Sequence, residues 1–146
     1  MSWGEYTSNT TGRNYHLGID ISSSDSNVYA AADGTVALVG FNKANGNYVI
    51  IKHEMKNKKV VYSFYAHLQS YSVKKGAAIL RGAKLGVMGN TGSSSRGKHL
   101  HFAIVDKLSS TGGYYGYATK FAGDKVNYKK TTYYNPVYVI QNDKLP

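Results

Sequence analysis

Short runs of β-branched and aromatic residues, separated by clusters of Gly, Asn, Asp and Ser, recur along most of this chain. Helical periodicity is hard to find in any segment, so the pattern is typical of an all-β protein. The sequence therefore predicts an all-β fold of mainly antiparallel sheets. The clearest runs, which we predict to be strands, are Thr35–Val39, Tyr48–Lys52, Val60–Ala66, Lys84–Met88, His99–Val105 and Pro136–Ile140.

The connections between these runs carry two kinds of signal. Asp33-Gly34 and Asn45-Gly46 lie between β-type runs, where hairpin turns occur. From Ser109 to Thr132 the strand pattern gives way to Gly, Tyr, Lys and Ser, and this is long for a structureless loop in a compact domain. Two interpretations of this segment stay open: a flexible surface loop, and a groove wall that presents aromatic side chains.

The length of 146 residues is enough for one domain with its own hydrophobic core. We place the domain at residues 1–140 and interpret residues 141–146 as a tail or the beginning of a linker. No apolar run approaches the ~18 residues of a membrane-spanning helix, so we expect no membrane span. Residues 1–5 lack the basic and apolar regions of a signal peptide, which leaves the compartment open.

Composition narrows the classes of function. The chain has no cysteine, which excludes disulfides, cysteine-ligated zinc and Cys-His hydrolases. Eighteen Lys and Arg against eight Asp and Glu give a net charge of +10, which favours anionic partners. The charges are scattered singly or in pairs, without an RNP-like or zinc-finger pattern. A nucleic-acid-binding domain has only the net charge in its favour, and we expect no nucleic-acid partner.

His99 and His101 lie two residues apart in a predicted strand. Side chains at positions i and i+2 of a strand share one face, about 7 Å apart. This arrangement suits a metal ligand with an acid or base beside it. Alone, such a pair is more often a surface or packed pair than a metal site.

His16 and Asp20 form an H-x-x-x-D pattern. Gly18 and the isoleucines Ile19 and Ile21 argue against a helix, and a straight strand would separate the two side chains by about 13 Å. One metal ion could bind both only if the chain bends, and Gly18 is where a bend costs least. Isolated matches to this pattern are frequent by chance.

Two further histidines have less distinctive surroundings. His67 follows the run Val60–Ala66, at the predicted end of a strand, where a lone histidine is usually a polar residue entering a turn. His53 and Glu54 begin an H-E-x-x-H motif, but Asn57 stands in place of the second histidine. We therefore interpret His53 as a surface residue.

Together these residues could build a catalytic zinc site. Such a site needs three N or O ligands and an open position for water. His16, Asp20 and His101 would supply the ligands, and His67 and His99 would position and deprotonate the water and stabilise an oxyanion. A nucleotide site is excluded, because the G-x-x-x-x-G-K match at residues 92–98 is followed by His99 and leads into a strand rather than a helix.

In their order along the chain, these motifs resemble the lysostaphin-like M23 zinc metallopeptidases. The family combines H-x-x-x-D, a strand-end A-H and an H-L-H-F strand, which read here His16–Asp20, Ala66-His67 and His99–Phe102. The resemblance extends from residue 16 to residue 138. Further segments similar to the family are Tyr29–Val36, Gly46–His53, Val73–Gly76, Gly86–Gly92 and Asn135-Pro136.

The resemblance implies one zinc ion per chain, bound by His16, Asp20 and His101, with catalytic roles for His67 and His99. It implies an antiparallel β domain with a loop-walled groove over the zinc site. The expected activity is hydrolysis of amide bonds in the cross-bridges or stem peptides of bacterial peptidoglycan, with a glycine-rich or small-residue cross-bridge as the expected substrate. The resemblance leaves the substrate-binding residues unidentified.

The same resemblance leads us to expect a bacteriolytic, secreted protein that works outside the cell or at the cell wall, and the presence of a flanking wall-binding domain stays open. Its net charge would attract anionic wall polymers. The alternative is a non-catalytic relative that binds the wall and regulates other hydrolases, but such relatives typically lose ligands that this chain retains. Lys98 stands where family members commonly have Pro, with Arg96 nearby, and the insertion after Val105 is long. These departures affect the expected substrate preference.

Overall fold

The computed structural model describes residues 1–8, 12–93, 95 and 97–141. Nearly all regular structure in these residues is antiparallel β-sheet, which confirms the predicted fold class. The strands are β1 (Tyr15–His16), β2 (Ile19–Ile21), β3 (Asn27–Tyr29), β4 (Gly34–Asn42), β5 (Gly46–Glu54), β6 (Val60–Tyr71), β7 (Ala78–Ile79), β8 (Lys84–Met88), β9 (Leu100–Val105), β10 (Tyr117–Ala118), β11 (Lys125–Tyr128) and β12 (Thr131–Tyr134), followed by one helix, α1 (Pro136–Gln141).

One large sheet organises the molecule, with the strand order β11-β12-β9-β6-β5-β4-β7. Strands β4, β5 and β6 form consecutive antiparallel hairpins, and β6 also pairs with β8 and β9. Strand β2 pairs with β9, β3 pairs with β8, and β1 forms a separate pair with β10. Because β9 pairs with both β2 and β12, residues from the N-terminal and C-terminal parts of the chain meet at this strand.

The core consists of two apolar clusters on opposite faces of this sheet. Along β5, Val49 and Ile51 belong to one cluster, whereas Tyr48 and Ile50 belong to the other. This alternation follows from the two-residue period of a strand, and it makes β5 buried on both faces. Each fully buried aliphatic side chain contributes ~1.5–3 kcal/mol of transfer free energy, so the sheet is a rigid base for the loops above it.

The predicted strand ends differ from the observed ones around two histidines. Strand β6 continues to Tyr71, so His67 lies inside the strand and not at its end. The backbone φ of His67 is +63°, and the register of β6 shifts near Leu68. Strand β9 begins at Leu100, and His99 forms an isolated bridge with Gly89. The irregular backbone at His67 breaks the strand pattern locally without ending the strand.

The predicted strand Pro136–Ile140 is wrong, because Pro136–Gln141 forms helix α1. Its β-branched composition favours a strand, but the residues around Pro136 favour a helix N-terminus. Proline suits the first turn of a helix. The side chain of Asn135 caps that turn by accepting a hydrogen bond from the Val137 amide at 3.1 Å.

The two predicted turns have different outcomes. Asn45-Gly46 lies in the turn between the paired strands β4 and β5, as predicted. Asp33-Gly34 does not form a hairpin turn between paired neighbours, because β3 pairs with β8 while β4 pairs with β5 and β7. The segment Ser109–Thr132 is not structureless, since it contains β10, β11 and the first residues of β12.

The prediction that His53 is a surface residue is wrong. His53 is completely buried in β5. Its Nδ1 donates to the Asp33 carbonyl at 2.8 Å, and its Nε2 lies 2.7 Å from the Ser63 hydroxyl. That hydroxyl lies 2.9 Å from the Tyr65 hydroxyl, which accepts a hydrogen bond from the Ala31 amide at 3.0 Å. His53 is therefore the polar centre of a buried network that ties β5 and β6 to the segment before β4.

In the part of the chain that the structure describes, no helix has the length and hydropathy needed to cross a membrane. Helix α1 ends at Gln141, and residues 142–146 of the predicted tail lie outside the described residues. The domain boundary at residue 140 stays a prediction.

Candidate metal centre

Strand pairing sets the position of two candidate ligands. Asp20 on β2 lies directly opposite His101 on β9, and His101 is also the register partner of Ala66 on β6. The third candidate, His16, is the last residue of β1, and the chain bends at Leu17-Gly18 before β2 begins. The predicted bend at Gly18 is confirmed, and it brings His16 beside Asp20.

The three side chains form one compact group. His16 Nε2 lies 3.4 Å from Asp20 Oδ1 and 3.3 Å from His101 Nδ1, and His101 Nδ1 lies 3.2 Å from Asp20 Oδ1. One ligand atom from each residue lies within 4.8 Å of the others. Two imidazoles and one carboxylate are a donor set that suits zinc and related divalent metals. The described residues thus contain a three-ligand group fit for a metal ion.

Gly18 allows β2 to approach β9 closely enough for this group to form. A Cβ atom at Gly18 would lie 2.6 Å from the Phe102 carbonyl oxygen and 3.0 Å from Cε1 of His101. Both distances are too short for ordinary packing, and one of the atoms belongs to the backbone of β9. Glycine is required at this position because of the close contact with β9. The backbone conformation does not require it, since the φ of Gly18 is not in the left-handed region.

Hydrogen bonding fixes the tautomer of His16. Its Nδ1 lies 3.1 Å from the Ser2 carbonyl, which can only accept, so Nδ1 carries the proton. The lone pair of Nε2 then faces Asp20 and His101. A backbone carbonyl that holds the distal nitrogen of a ligating histidine is a common support for metal sites.

The electrostatics of the group favour a charged carboxylate. Burial disfavours ionisation of Asp20, but the adjacent imidazoles of His101 and His16 outweigh it and hold the pKa of Asp20 well below its usual range. Burial lowers the pKa of His101, and the hydrogen bond to Asp20 only partly opposes this. Metal ligation requires these same protonation states.

His67 and His99 lie next to the three ligands. The His67 and His99 rings are 5.0 Å apart, the His67 and His101 rings are 6.2 Å apart, and His99 Nε2 lies 3.7 Å from Asp20 Oδ1. His67 Nδ1 donates to the Thr91 carbonyl at 2.7 Å, and His99 Nδ1 donates to the Gly97 carbonyl at 2.8 Å. Because both Nδ1 atoms carry protons, both Nε2 atoms of the neutral rings have free lone pairs. The structure thus brings together all five predicted site residues.

Burial lowers the pKa of His67 to about 4. The neighbouring imidazoles act in the same direction, whereas the hydrogen bond to Thr91 and the charge of Asp20 oppose the shift. His67 is therefore neutral near pH 7. Its φ of +63° is uncommon for a residue with a side chain, and the His67 amide donates to the Asn45 carbonyl at 2.8 Å.

The amino-acid sequence matches the description of peptidase family M23 over residues 14–111, which include all five of these residues. The chain belongs to peptidase family M23. The match begins before β1 and ends in the segment after β9. Strands β10 to β12 and helix α1 therefore lie beyond the part that the family description covers.

Three relatives illustrate the similarity. The peptidoglycan DD-endopeptidase ShyA of Vibrio cholerae is 37% identical over 78 residues, which are 53% of this chain and 17% of that protein. A zinc-containing peptidase from Vibrio cholerae has 35% identity and a TM-score of 0.59, covering 69% of this chain and 30% of that one. The catalytic domain of lysostaphin from Staphylococcus simulans has 28% identity and a TM-score of 0.63, covering 75% and 80%. The chain thus spans less than a fifth of the length of ShyA.

A groove runs over the centre of this M23 domain as two recesses of about 580 Å³ each. Asp20, His99 and Tyr117 line both recesses, whereas the ligands His16 and His101 line only the first. The first recess is bounded by the β4–β5 turn and by residues 111–117. The groove-wall interpretation of the segment after Ser109 therefore agrees with the structure.

The groove wall depends on asparagines that the sequence analysis did not identify. Asn42 Nδ2 donates to the carbonyls of Thr111 and Gly112 at 3.0 Å each. The buried side-chain amide of Asn45 donates through Nδ2 to the carbonyls of Gly112 and Tyr114 at 3.1 and 3.4 Å. Asn45 had been interpreted only as a turn residue, and the sequence carries no pattern that pairs it with a segment about 67 residues away.

Proposed function

We propose that this chain is a zinc-dependent endopeptidase that hydrolyses amide bonds in bacterial peptidoglycan. The observation that carries the proposal is the group of His16, Asp20 and His101, with two further histidines beside it. Relatives named for peptidoglycan and for zinc support the substrate and the metal. A bound zinc ion supplies a Lewis acid that polarises a carbonyl and acidifies water.

We assign the two other catalytic roles, general base and oxyanion stabiliser, to His99 and His67. His99 is partly exposed at the junction of the two recesses, and its free Nε2 makes it the proposed general base that takes a proton from water and returns it to the leaving amine. His67 is the proposed stabiliser of the tetrahedral oxyanion. In the neutral ring the only proton is on Nδ1, which donates to the Thr91 carbonyl, so this role requires His67 to take up a second proton at Nε2 as the negative charge of the oxyanion develops.

For the scissile segment, we propose a glycine-rich or small-residue cross-bridge. The similarity to the lysostaphin catalytic domain supports this choice, whereas ShyA, a DD-endopeptidase, makes a directly linked stem peptide the other candidate. Digestion of purified walls with oligoglycine or alanine bridges, compared with directly cross-linked walls, distinguishes them. Release of fragments only from the directly linked walls would contradict the bridge proposal and leave the peptidase proposal intact.

The proposed site of action is the cell wall or the space outside the cell, where the protein would be secreted and bacteriolytic. The net charge of +10 supports attraction to anionic wall polymers, and the short span relative to ShyA is consistent with a flanking wall-binding domain. The non-catalytic alternative has less support, because all five site residues are retained and assembled.

Metal content tests the proposal. Purified protein should bind one zinc per chain, lose wall-lytic activity on chelation and regain it with zinc. Alanine at His16, Asp20 or His101 should lower zinc content, whereas alanine at His67 or His99 should keep the metal and reduce the rate on the order of 10²-fold or more. Glu54→Ala removes an exposed carboxylate and serves as the control. Full activity in metal-free protein would refute the assignment.

A further inference from the structure

Positively charged groups line the groove on both sides of the metal centre. We call the first recess, bounded by Arg13, Asn42–Asn45, Thr111 and Gly113–Tyr117, the Arg13 recess. Among the described residues that line it, Asp20 carries the sole carboxylate, and Asp20 belongs to the ligand group. Arg13 and Lys43 line the same recess. Once Asp20 binds a cation, this part of the groove presents two positive charges and no negative one.

Aromatic packing positions Arg13 at the wall of the recess. Its guanidinium carbon lies over the Tyr115 ring, 5.8 Å from the ring centroid. Tyr115 in turn packs edge-on against Tyr128, with centroids 5.3 Å apart, and its amide donates to the Tyr133 hydroxyl at 2.9 Å. A guanidinium carries a planar fork of N–H donors, whose geometry matches the two oxygens of a carboxylate.

Lys43 lies on the β4–β5 turn, which also lines the recess. The Asn42 side chain accepts a hydrogen bond from the backbone N–H of Asn45 at 2.7 Å. The Lys43 carbonyl accepts one from the backbone N–H of Ser93 at 2.8 Å. The backbone of Lys43 is thus held on both sides while its side chain is exposed. In the second recess, by contrast, the Lys98 ammonium contacts the Ser26 hydroxyl.

We propose that the Arg13 recess is a carboxylate subsite, in which Arg13 and Lys43 bind a free carboxylate of the substrate peptide on one side of the scissile amide. The inference rests on the proposed endopeptidase function. It specifies in addition that the substrate carries a negative charge near the scissile amide. Stem peptides of peptidoglycan carry free carboxylates, whereas an isolated oligoglycine segment carries none beyond its terminus. The chain therefore selects a cross-linked peptide with an anionic stem next to the cleaved segment.

A matched pair of substrates tests the subsite. One is a cross-linked peptide dimer purified from walls that the enzyme digests, and the other is the same dimer with its carboxylates converted to carboxamides. Amidation should lower kcat/KM of the zinc-loaded protein about three- to tenfold, the scale of a partly exposed charge-assisted pair. Arg13→Gln and Lys43→Gln should lower kcat/KM for the free acid, so that the ratio between the two dimers approaches one. Lys52→Gln removes an exposed charge outside both recesses and should keep the wild-type ratio.

Binding separates failure of the subsite from failure of the proposed activity. Calorimetry on zinc-loaded His99→Ala protein should show tighter binding of the free-acid dimer than of the amidated dimer, whether or not the wild type cleaves either. Equal affinities, or an equal ratio in Arg13→Gln and wild type, would overturn the subsite and leave the endopeptidase proposal intact. Competition by millimolar inorganic phosphate without any effect of amidation would assign the recess to phosphate and would also overturn it.

Discussion

At the scale of single residues, the metal centre depends on a position that has no side chain. A methyl group at Gly18 would meet the Phe102 carbonyl at 2.6 Å and the His101 ring at 3.0 Å. We expect Gly18→Ala to separate β2 from β9, to lower zinc affinity at least tenfold and to reduce stability by ~1–3 kcal/mol. Chelator competition and thermal unfolding of the metal-free protein measure the two effects.

Gly116→Ala is the matched control for that substitution. A Cβ atom at Gly116 would have no neighbour within 4 Å, and its φ is not in the left-handed region. The control should therefore unfold at the wild-type temperature. Wild-type zinc affinity in Gly18→Ala would show that the close approach of β2 and β9 is not needed for binding.

His53 gives a second residue-scale prediction, for stability against pH. Burial lowers the pKa of His53, and its hydrogen bond to Asp33 and the Asp33 charge only partly oppose this. Between the unfolded pKa of ~6.5 and the lower folded value, the unfolded state binds more protons, so the contribution of His53 to stability is lost as pH falls through this window. We expect the free energy of unfolding to drop by up to ~1.4 kcal/mol per pH unit from this group.

Urea unfolding of wild type and His53→Gln at pH 7.5 and pH 5 measures this contribution. The buried His67 and His101, whose pKa values are also lowered, act in the same direction in both proteins, so the difference between the slopes isolates His53. Equal pH slopes in the two proteins would mean that His53 does not titrate on unfolding in this range.

The residue scale also shows which predictions the sequence could support. The bend at Gly18 follows from local chemistry, because a glycine between two candidate ligands leaves few alternatives. The burial of His53 was predictable too, since strand alternation places it on the same face as Val49 and Ile51, in the cluster that packs against β6.

At the scale of elements, the β4–β5 turn and the segment after Ser109 form one structure through Asn45. We expect Asn45→Ala to remove the side-chain donor of the Tyr114 carbonyl, to leave the Gly112 carbonyl with Asn42 alone, and to loosen residues 109–117, at a cost of ~1–3 kcal/mol. KM should rise more than kcat falls, and zinc content should stay at the wild-type level, because the ligands lie on other elements.

Hydrogen exchange of residues 109–117 is the direct readout of that loosening. Asn127→Ala provides the control, since its exposed amide donates to Thr132 on the β11–β12 hairpin, away from the groove. Unchanged exchange in Asn45→Ala, together with unchanged KM, would show that Asn42 alone suffices to hold the wall.

The sequence predicted the long strands, whose residues follow a regular pattern of burial. It predicted less well the elements whose structure depends on one particular contact. Successive residues of the long strands β5 and β6 pack into the two clusters in turn, so these strands are visible in the sequence as runs of β-branched and aromatic residues. Helix α1 forms because Asn135 and Pro136 together begin it, against the β-type composition that follows. The wall at residues 111–117 depends on partners about 67 residues away, and no local pattern records such a contact.

At the scale of the whole molecule, salt should affect wall lysis and peptide cleavage to different extents. The net charge of +10 acts at the surface, whereas the metal centre is recessed in the groove. Attraction to an anionic wall acts between exposed charges, which 0.1 M salt screens beyond ~10 Å. Raising the salt concentration should therefore weaken lysis of whole walls much more than cleavage of a short uncharged peptide. Turbidity loss of wall suspensions and a fluorogenic peptide assay measure the two rates, and parallel loss of both rates would contradict a surface role for the charge.

The left-handed backbone of His67 has a consequence for engineering and evolution. A side chain at a φ of +63° costs of order 1–3 kcal/mol, which glycine would recover even though the hydrogen bond to Thr91 would be lost with the ring. The proposed oxyanion group thus occupies a position where thermodynamic stability and turnover conflict. Relief of backbone strain would favour glycine at this position, whereas the proposed role in cleavage would require the histidine.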